Sequence, residues 1–225
     1  MVTLSCAELT TTEINTQLAR LPEGTEVTIT EPRGRHNLAV GLPNRLDITI
    51  AGNAGYYIGG LCDGPDITVE GFVGWSVGEN LMAGTIRVKG NASECAGATS
   101  HGGMIVIEGD ASSRAGISLK GGTIVVGGDV GHMSGFMAQA GTIVVGGNAG
   151  EALGDSLYET IIYVGGSVRS LGSDARIEDL TEEDVATLTD IVAASGLDHI
   201  VPEDMARVAS AKTLYNFDAL QDQPY

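Results

Sequence analysis

The chain has 225 residues, 33 of them glycine, with only 4% aromatic side chains and a formal charge of −17 from 29 acidic and 12 basic residues. This balance argues against nucleic acid or an anionic membrane as partner, because both are bound through clustered Lys and Arg. There is no apolar run of about 18 residues to span a bilayer and no N-terminal apolar signal segment, so the expected location is the cytoplasm.

Residues 1–40 read as an N-terminal cap. Ile14, Leu18 and Leu21 fall at i, i+4 and i+7 behind a Thr10-Thr11-Thr12 cluster, the spacing of one amphipathic helix, which Pro22-Glu23-Gly24 ends. A strand over 26–30 and the loop Arg33-Gly34-Arg35-His36 follow.

Residues 41–173 are an internal repeat. Isoleucine stands at Ile48, Ile67, Ile86, Ile105, Ile124, Ile143 and Ile162, each 19 residues after the last, and glycine follows four places later at Gly52, Gly71, Gly90, Gly109, Gly128, Gly147 and Gly166. Two places after each isoleucine stands Ile or Val, the alternation of a half-buried strand whose intervening side chain faces solvent. A second glycine column (Gly59, Gly78, Gly97, Gly116, Gly135, Gly154) marks another corner, and both columns are expected to supply special backbone angles and close approach between coils. Nineteen residues leave no room for the helical crossover of a layered α/β sheet. The period is not that of a hexapeptide β-helix, and the GGxGxD pattern of calcium-binding repeats is missing. The expected fold is therefore all-β: a right-handed, single-stranded parallel β-helix of seven coils between an N-terminal helical cap and a helical, acidic C-terminal tail.

That tail is residues 174–225. It holds twelve Asp and Glu against three Lys and Arg. Thr181-Glu182-Glu183-Asp184 has the form of a helix start and Gly196 that of a stop. The acidity fits either a solvated helix face or an arm reaching a basic surface on another subunit. Its end, with Leu214, Tyr215 and Phe217, carries apolar rings that suit docking onto a partner.

Few residues offer chemistry. Cys6, Cys62 and Cys95 lack the spacing of a metal knuckle or an iron–sulfur set, and read as reduced and structural. The four histidines show no metal-binding spacing. A protein-held metal is not expected. Glycine-rich turns such as Gly127-Gly128-Asp129-Val130-Gly131 precede another strand rather than a helix, so they do not form a dinucleotide site. Glu79, His101 and His132 fall in turns, where acid–base groups are often placed, but the two histidines stand at different positions within the repeat and suit structural or interface roles better. Tyr56, Tyr57 and Trp75 cluster at one end and fit either a partner contact or a cap on the coil. Asp110 and Asp129 share one repeat position in adjacent coils, where like charges repel mildly, so they should face solvent, a basic group or a cation.

Several turns carry a family resemblance. Gly78-Glu79-Asn80-Leu81-Met82-Ala83-Gly84-Thr85-Ile86, His101-Gly102-Gly103-Met104-Ile105-Val106-Ile107, Gly131-His132-Met133-Ser134, Gln139-Ala140-Gly141-Thr142-Ile143-Val144-Val145 and Gly150-Glu151-Ala152-Leu153-Gly154-Asp155 resemble the GXGXG-motif family. That family includes the C-terminal domain of the glutamate synthase large chain, a subunit of formylmethanofuran dehydrogenase and stand-alone subunits of glutamate-synthase-like complexes. The likeness runs over nearly the whole chain and is nearest to the stand-alone N-methylglutamate synthase type. It implies a non-catalytic structural subunit of a hetero-oligomer, holding a class II amidotransferase-like subunit against a flavin-barrel subunit that carries FMN and an iron–sulfur cluster. The implied reaction of the assembly is methylamine plus glutamate to N-methylglutamate plus ammonia. An ordinary glutamate synthase subunit and a carrier-binding module of the formylmethanofuran dehydrogenase kind are the alternatives. The chain begins Met1-Val2-Thr3, so no N-terminal cysteine nucleophile is expected from it, and no cofactor of its own. The candidate interface or channel-lining residues are Tyr56, Tyr57, Trp75, Glu79, Asn80, His101, His132, Tyr215 and Phe217. A β-helix enzyme acting on polysaccharides fits less well, since a groove lined with aromatic and basic catalytic residues is not evident.

Overall fold

A 19-residue unit stacked on itself gives every strand a parallel neighbour on each side, and the computed structural model, which describes residues 1–214, has that arrangement. Strands β1 (Val2–Ser5), β2 (Glu26–Thr30), β3 (Asp47–Ile50), β4 (Asp63–Val69), β5 (Ala83–Val88), β6 (Met104–Ile107), β7 (Lys120–Val126), β8 (Ala140–Val145) and β9 (Ile161–Val164) pair in sequence order, all parallel. The fold is a parallel β-solenoid of about seven turns. The register puts each repeat isoleucine against its own copy: Ile48 on Ile67, Ile67 on Ile86, and so on to Ile162. These side chains and their i+2 partners are buried in one continuous core inside the coil.

The sheet extends beyond the strict repeat at both ends. Val27 of β2 pairs with Ile48 and Val2 of β1 with Val27, both over longer steps than 19: helix α1 (Thr11–Leu18) is inserted between β1 and β2, and the loop 31–46 separates β2 from β3. Ile14 and Leu18 of α1 are fully buried in the same core as Val27 and Ile29, so the helix closes that end of the coil. A Thr10–Glu13 capping box starts α1, and the Asn44 amide donates to the Leu18 and Leu21 carbonyls at its far end.

At the other end the chain reverses. Strand β11 (Ala206–Ser210) pairs antiparallel with β9, and β10 (Ala175–Glu178) pairs antiparallel with β11. Val208 sits opposite Ile162 and is fully buried, so the reversed strand covers the edge that a parallel stack would leave open.

Helix α2 (Glu182–Ser195) starts on a Thr181–Asp184 capping box and ends on Gly196 in the left-handed conformation. The helix of the acidic tail keeps a solvated acidic face, with Glu182, Glu183 and Asp190 exposed, but its other face is covered. It lies on the outer face of its own coils. Along the position one after each isoleucine, Thr49, Thr68 and Arg87 give way to Val106, Val125, Val144 and Tyr163, all four buried against Leu188, Val192, Leu197, Ile200 and Met205. Burying a valine is worth about 1.5 kcal/mol or more, so this second core corrects the expectation that the intervening strand positions face water. The helix spans β9 to β5: Tyr163 and Arg207 both bond Asp184 near its start, and Arg87 donates to the Ser195 carbonyl (2.6 Å) at its end. Fourteen residues at 1.5 Å make about 21 Å, close to the roughly 19 Å of four strand spacings. Arg87 also places a cation at the negative end of the helix dipole, and pairs with Glu108 at 3.1 Å.

Two predictions separate the inner and outer cores. Ile124→Asp buries an unpaired charge inside the coil and should abolish soluble folding, whereas Val125→Asp should unseat α2, giving rapid protease cleavage in 180–205 with strand circular dichroism retained. Equal loss of folding in both would contradict the two-core description. The second concerns acid. Burial pushes the Asp184 carboxyl up, but hydrogen bonds from the Thr181 hydroxyl, Tyr163 and the Thr181 amide outweigh it and hold the group below the ordinary carboxylate value. A depressed carboxylate stabilises the fold above its unfolded value, about 3.9, and loses that contribution as pH falls through the folded one. Protease sensitivity of α2 should therefore rise only below about pH 4, and Asp184→Asn should remove that acid limb.

Candidate functional site

One corner of the solenoid carries two side-chain columns with opposite behaviour. The first runs Asn53, Phe72, Asn91, Asp110, Asp129, Asn148, Ser167. Its side-chain oxygens accept the backbone N–H of the next coil at the same position: Asn53 from Phe72 (3.2 Å), Asn91 from Asp110 (3.0 Å), Asp110 from Asp129 (2.8 Å), Asp129 from Asn148 (2.6 Å) and Asn148 from Ser167 (2.9 Å). Asp110 and Asp129 face solvent, as expected, but they also act as coil-to-coil acceptors, which offsets their mutual repulsion. The repeat glycines leave room for this ladder. A Cβ on Gly128 would sit 2.1 Å from Asp110 Oδ1, and one on Gly109 2.1 Å from Asn91 Oδ1. Close approach, and not a left-handed angle, is the demand there, since Gly52 alone of that column among the described residues has a positive φ. The second glycine column does adopt the left-handed angle, for example Gly97 at +68°.

Phe72 interrupts the ladder, because its ring cannot accept the amide of Asn91. Beside it stands the second column: Tyr56, Trp75, Glu94, Ser113, His132, Glu151. Its first members stack. His36 lies on Tyr56 with ring centroids 4.3 Å apart, Tyr56 lies on Trp75 at 5.1 Å and 12°, and His36 Nδ1 accepts the Tyr56 N–H at 2.9 Å. Phe72 and Trp75 remain about half exposed, at 53% and 49%. Together with Asn53, Tyr56, Asn91 and Ser93 they border an open cavity of about 800 Å³. A second hollow of about 440 Å³ lies further along the same columns, bordered by Asp129, Asn148 and Arg169, where Arg169 pairs with Glu151 at 3.2 Å. The two hollows lie along the same corner, the first lined in part by Ala92 and the second by Val130 and Ala149.

The other candidates separate. Tyr57, next to Tyr56, is outside the stack: its hydroxyl meets Glu79 (3.3 Å), whose charge, with some burial, raises the phenol above its ordinary value. Asn80 accepts from the Thr99 hydroxyl (3.0 Å). His132 belongs to the Trp75 column but three coils further on, about 14 Å away at the strand spacing. His101 is exposed on a different column, where Met82, Lys120 and Gln139 precede and follow it. Among the described residues neither His101 nor His132 has a ring hydrogen bond, so no acid–base pair is assembled. No three His, Cys, Asp or Glu side chains among them are placed to hold a metal ion. Cys62 is buried, which raises its thiol to about 11; Cys6 is buried and Cys95 half-buried, and all three are free. Tyr215 and Phe217 lie outside the described residues. The sequence reading passed over His36, Phe72 and Glu94 as functional residues. Phe72 was detectable as the one ring in a column of amide, acid and hydroxyl side chains, whereas His36 stands 20 residues before Tyr56 and escapes the 19-residue period.

No helix among the described residues is long and apolar enough to cross a membrane. No protein-family model matches the chain, and no curated protein is significantly similar to it.

The ladder makes a direct prediction. Asp129→Ala removes an acceptor used twice by Asn148 and should cost about 1 kcal/mol, lowering Tm by roughly 2–4 °C, while Asp129→Asn should be neutral or stabilising. Phe72→Asn supplies the missing acceptor and should raise Tm by a similar amount, read by thermal melts.

Proposed function

We propose that the chain is a non-catalytic structural subunit of a flavin-dependent, glutamate-synthase-like complex of the N-methylglutamate synthase type, working in the cytoplasm. The observation that carries this reading is the set of turn segments 78–86, 101–107, 131–134, 139–145 and 150–155, whose resemblance to the GXGXG-motif family spans most of the repeat. The exposed rings of Tyr56, Phe72 and Trp75 support it, because apolar side chains gathered at one corner of an otherwise acidic surface suit a subunit interface. In this role the solenoid holds an amidotransferase-like subunit and a flavin-barrel subunit in register. FMN and the iron–sulfur cluster belong to the latter, and the transfer of methylamine to glutamate takes place on the partners.

Purified alone, the chain should be colourless and inactive, and flavin and iron should appear with it only when the two partner subunits are co-expressed. Stoichiometric flavin or iron in the isolated chain would overturn the reading. Ammonia release from glutamate by the assembled complex, dependent on methylamine, identifies the N-methylglutamate type; turnover with glutamine, 2-oxoglutarate and a two-electron reductant, without methylamine, assigns it to the ordinary glutamate synthases.

A further inference from the structure

The aromatic column ends abruptly. His36, Tyr56 and Trp75 lie face to face along the solenoid axis, so the second face of the Trp75 indole looks toward the next coil, where the same column position is Glu94. No ring covers that face among the described residues, and Glu94 has neither ion pair nor side-chain hydrogen bond among them. A flat group stacked there continues the column. If it also carries positive charge, it satisfies the indole face and the carboxylate together, and a guanidinium is the biological side chain with both properties. Further along the corner, Asp110 and Asp129 each use only Oδ1 in the ladder, leaving Oδ2 of each without a partner among the described residues.

The spacing fits one kind of occupant. From the Trp75–Glu94 step to the Asp110–Asp129 step is two coils, about 10 Å, which a chain in the extended polyproline II conformation, at about 3.1 Å per residue and three residues per turn, covers in three residues with both side chains on one face. We propose that this corner is the docking site of an extended, arginine-bearing segment of a partner protein, one guanidinium stacked on Trp75 beside Glu94 and a second, three residues on, held by Asp110 and Asp129. The chain's own residues 215–225 contain no Arg or Lys, so they do not match. The inference deepens the scaffold reading by naming the chemistry of the partner, and rests on the chain having a protein partner.

Trp75 is the sole tryptophan, so its fluorescence reports this site alone. The full chain is titrated with the peptide acetyl-Gly-Arg-Gly-Gly-Arg-Gly-amide and with counterparts carrying lysine or citrulline in place of arginine. Saturable change with the arginine peptide is expected, with the lysine peptide at least about fivefold weaker and the uncharged citrulline peptide at least about tenfold weaker. By calorimetry, Trp75→Ala and Glu94→Gln should each weaken the arginine peptide about fivefold or more, while their melting curves stay close to that of the parent. Equal binding of lysine and arginine peptides would reduce the site to plain charge attraction and overturn the proposal. So would equal binding of the citrulline peptide, unchanged affinity in Glu94→Gln, or no saturation at millimolar peptide. Tighter binding by a chain ending at Leu214 would make the chain's own end the occupant, and overturn it as well. A flat titration beside intact co-purification with the flavin-barrel subunit rejects this inference and leaves the scaffold reading standing; arginine-specific binding without co-purification does the reverse.

Discussion

Each coil lies on the next at the strand spacing of about 4.8 Å, so a side chain's nearest neighbour along the axis is the residue 19 places away. Everything else in the structure answers to that constraint. Inside the coil it is met by stacking isoleucine on isoleucine, a branched side chain that packs well against its own copy. At the corner it is met by a short amide or carboxylate that accepts a hydrogen bond from the coil above, and such a side chain fits only where glycine stands one step before the same position in the next coil. The pairing of Asn or Asp with the glycine of the following coil is thus one device written across two repeats, and its energy is the modest gain of a surface hydrogen bond multiplied along the stack.

The same constraint explains why the outer face is divided. A coil position that points outward meets either water or something laid across the stack, and a helix parallel to the axis is well matched because, at a fixed rise of about 1.5 Å per residue, its residue count sets how many coils it covers. Helix α2 covers the coils whose outward residue is Val106, Val125, Val144 or Tyr163, and it stops where that residue becomes Arg87, which donates to the Ser195 carbonyl. The acidic first turn of α2 and Arg87 at its end therefore have opposite tasks on one dipole. Part of the tail's negative charge serves local structure: Asp184 caps the helix and receives Tyr163 and Arg207, and Asp174 receives Ser210 and Thr213.

How much of this was readable in the sequence follows from which contacts are periodic. The solenoid, its strand register and both helices follow from the 19-residue steps and from the Thr10 and Thr181 starts, since each is local or recurs at fixed spacing. The packing of α2 on the coil was readable in principle: four successive apolar residues in an outward column demand a cover. Alternation within a single strand conceals it, since the apolar run appears only when the column is followed across coils. The reversed strand β11 was not readable, because antiparallel pairing of 206–208 with 162–164 depends on a turn far outside the repeat. Nor was the His36–Tyr56–Trp75 stack, whose first member is off the period.

A repeat also serves as its own set of comparisons, since seven coils sample seven solutions to one backbone environment. Columns that hold one residue type, isoleucine within and glycine at the corner, are those in which stacking leaves no choice. The Tyr56, Trp75, Glu94, Ser113, His132, Glu151 column holds five residue types at six positions on the same backbone, so the fold tolerates any of them. An aromatic run at one end of so permissive a column is then not required by the coil, and it exposes apolar surface that a serine would not. In the neighbouring column Phe72 gives up a ladder hydrogen bond that every other amide and acid in it makes. Two departures from the repeat, adjacent in space and both unfavourable for the isolated chain, are explained together by a ligand that covers the rings. On the proposed docking of a partner segment, the first coils are the part of this surface shaped for recognition.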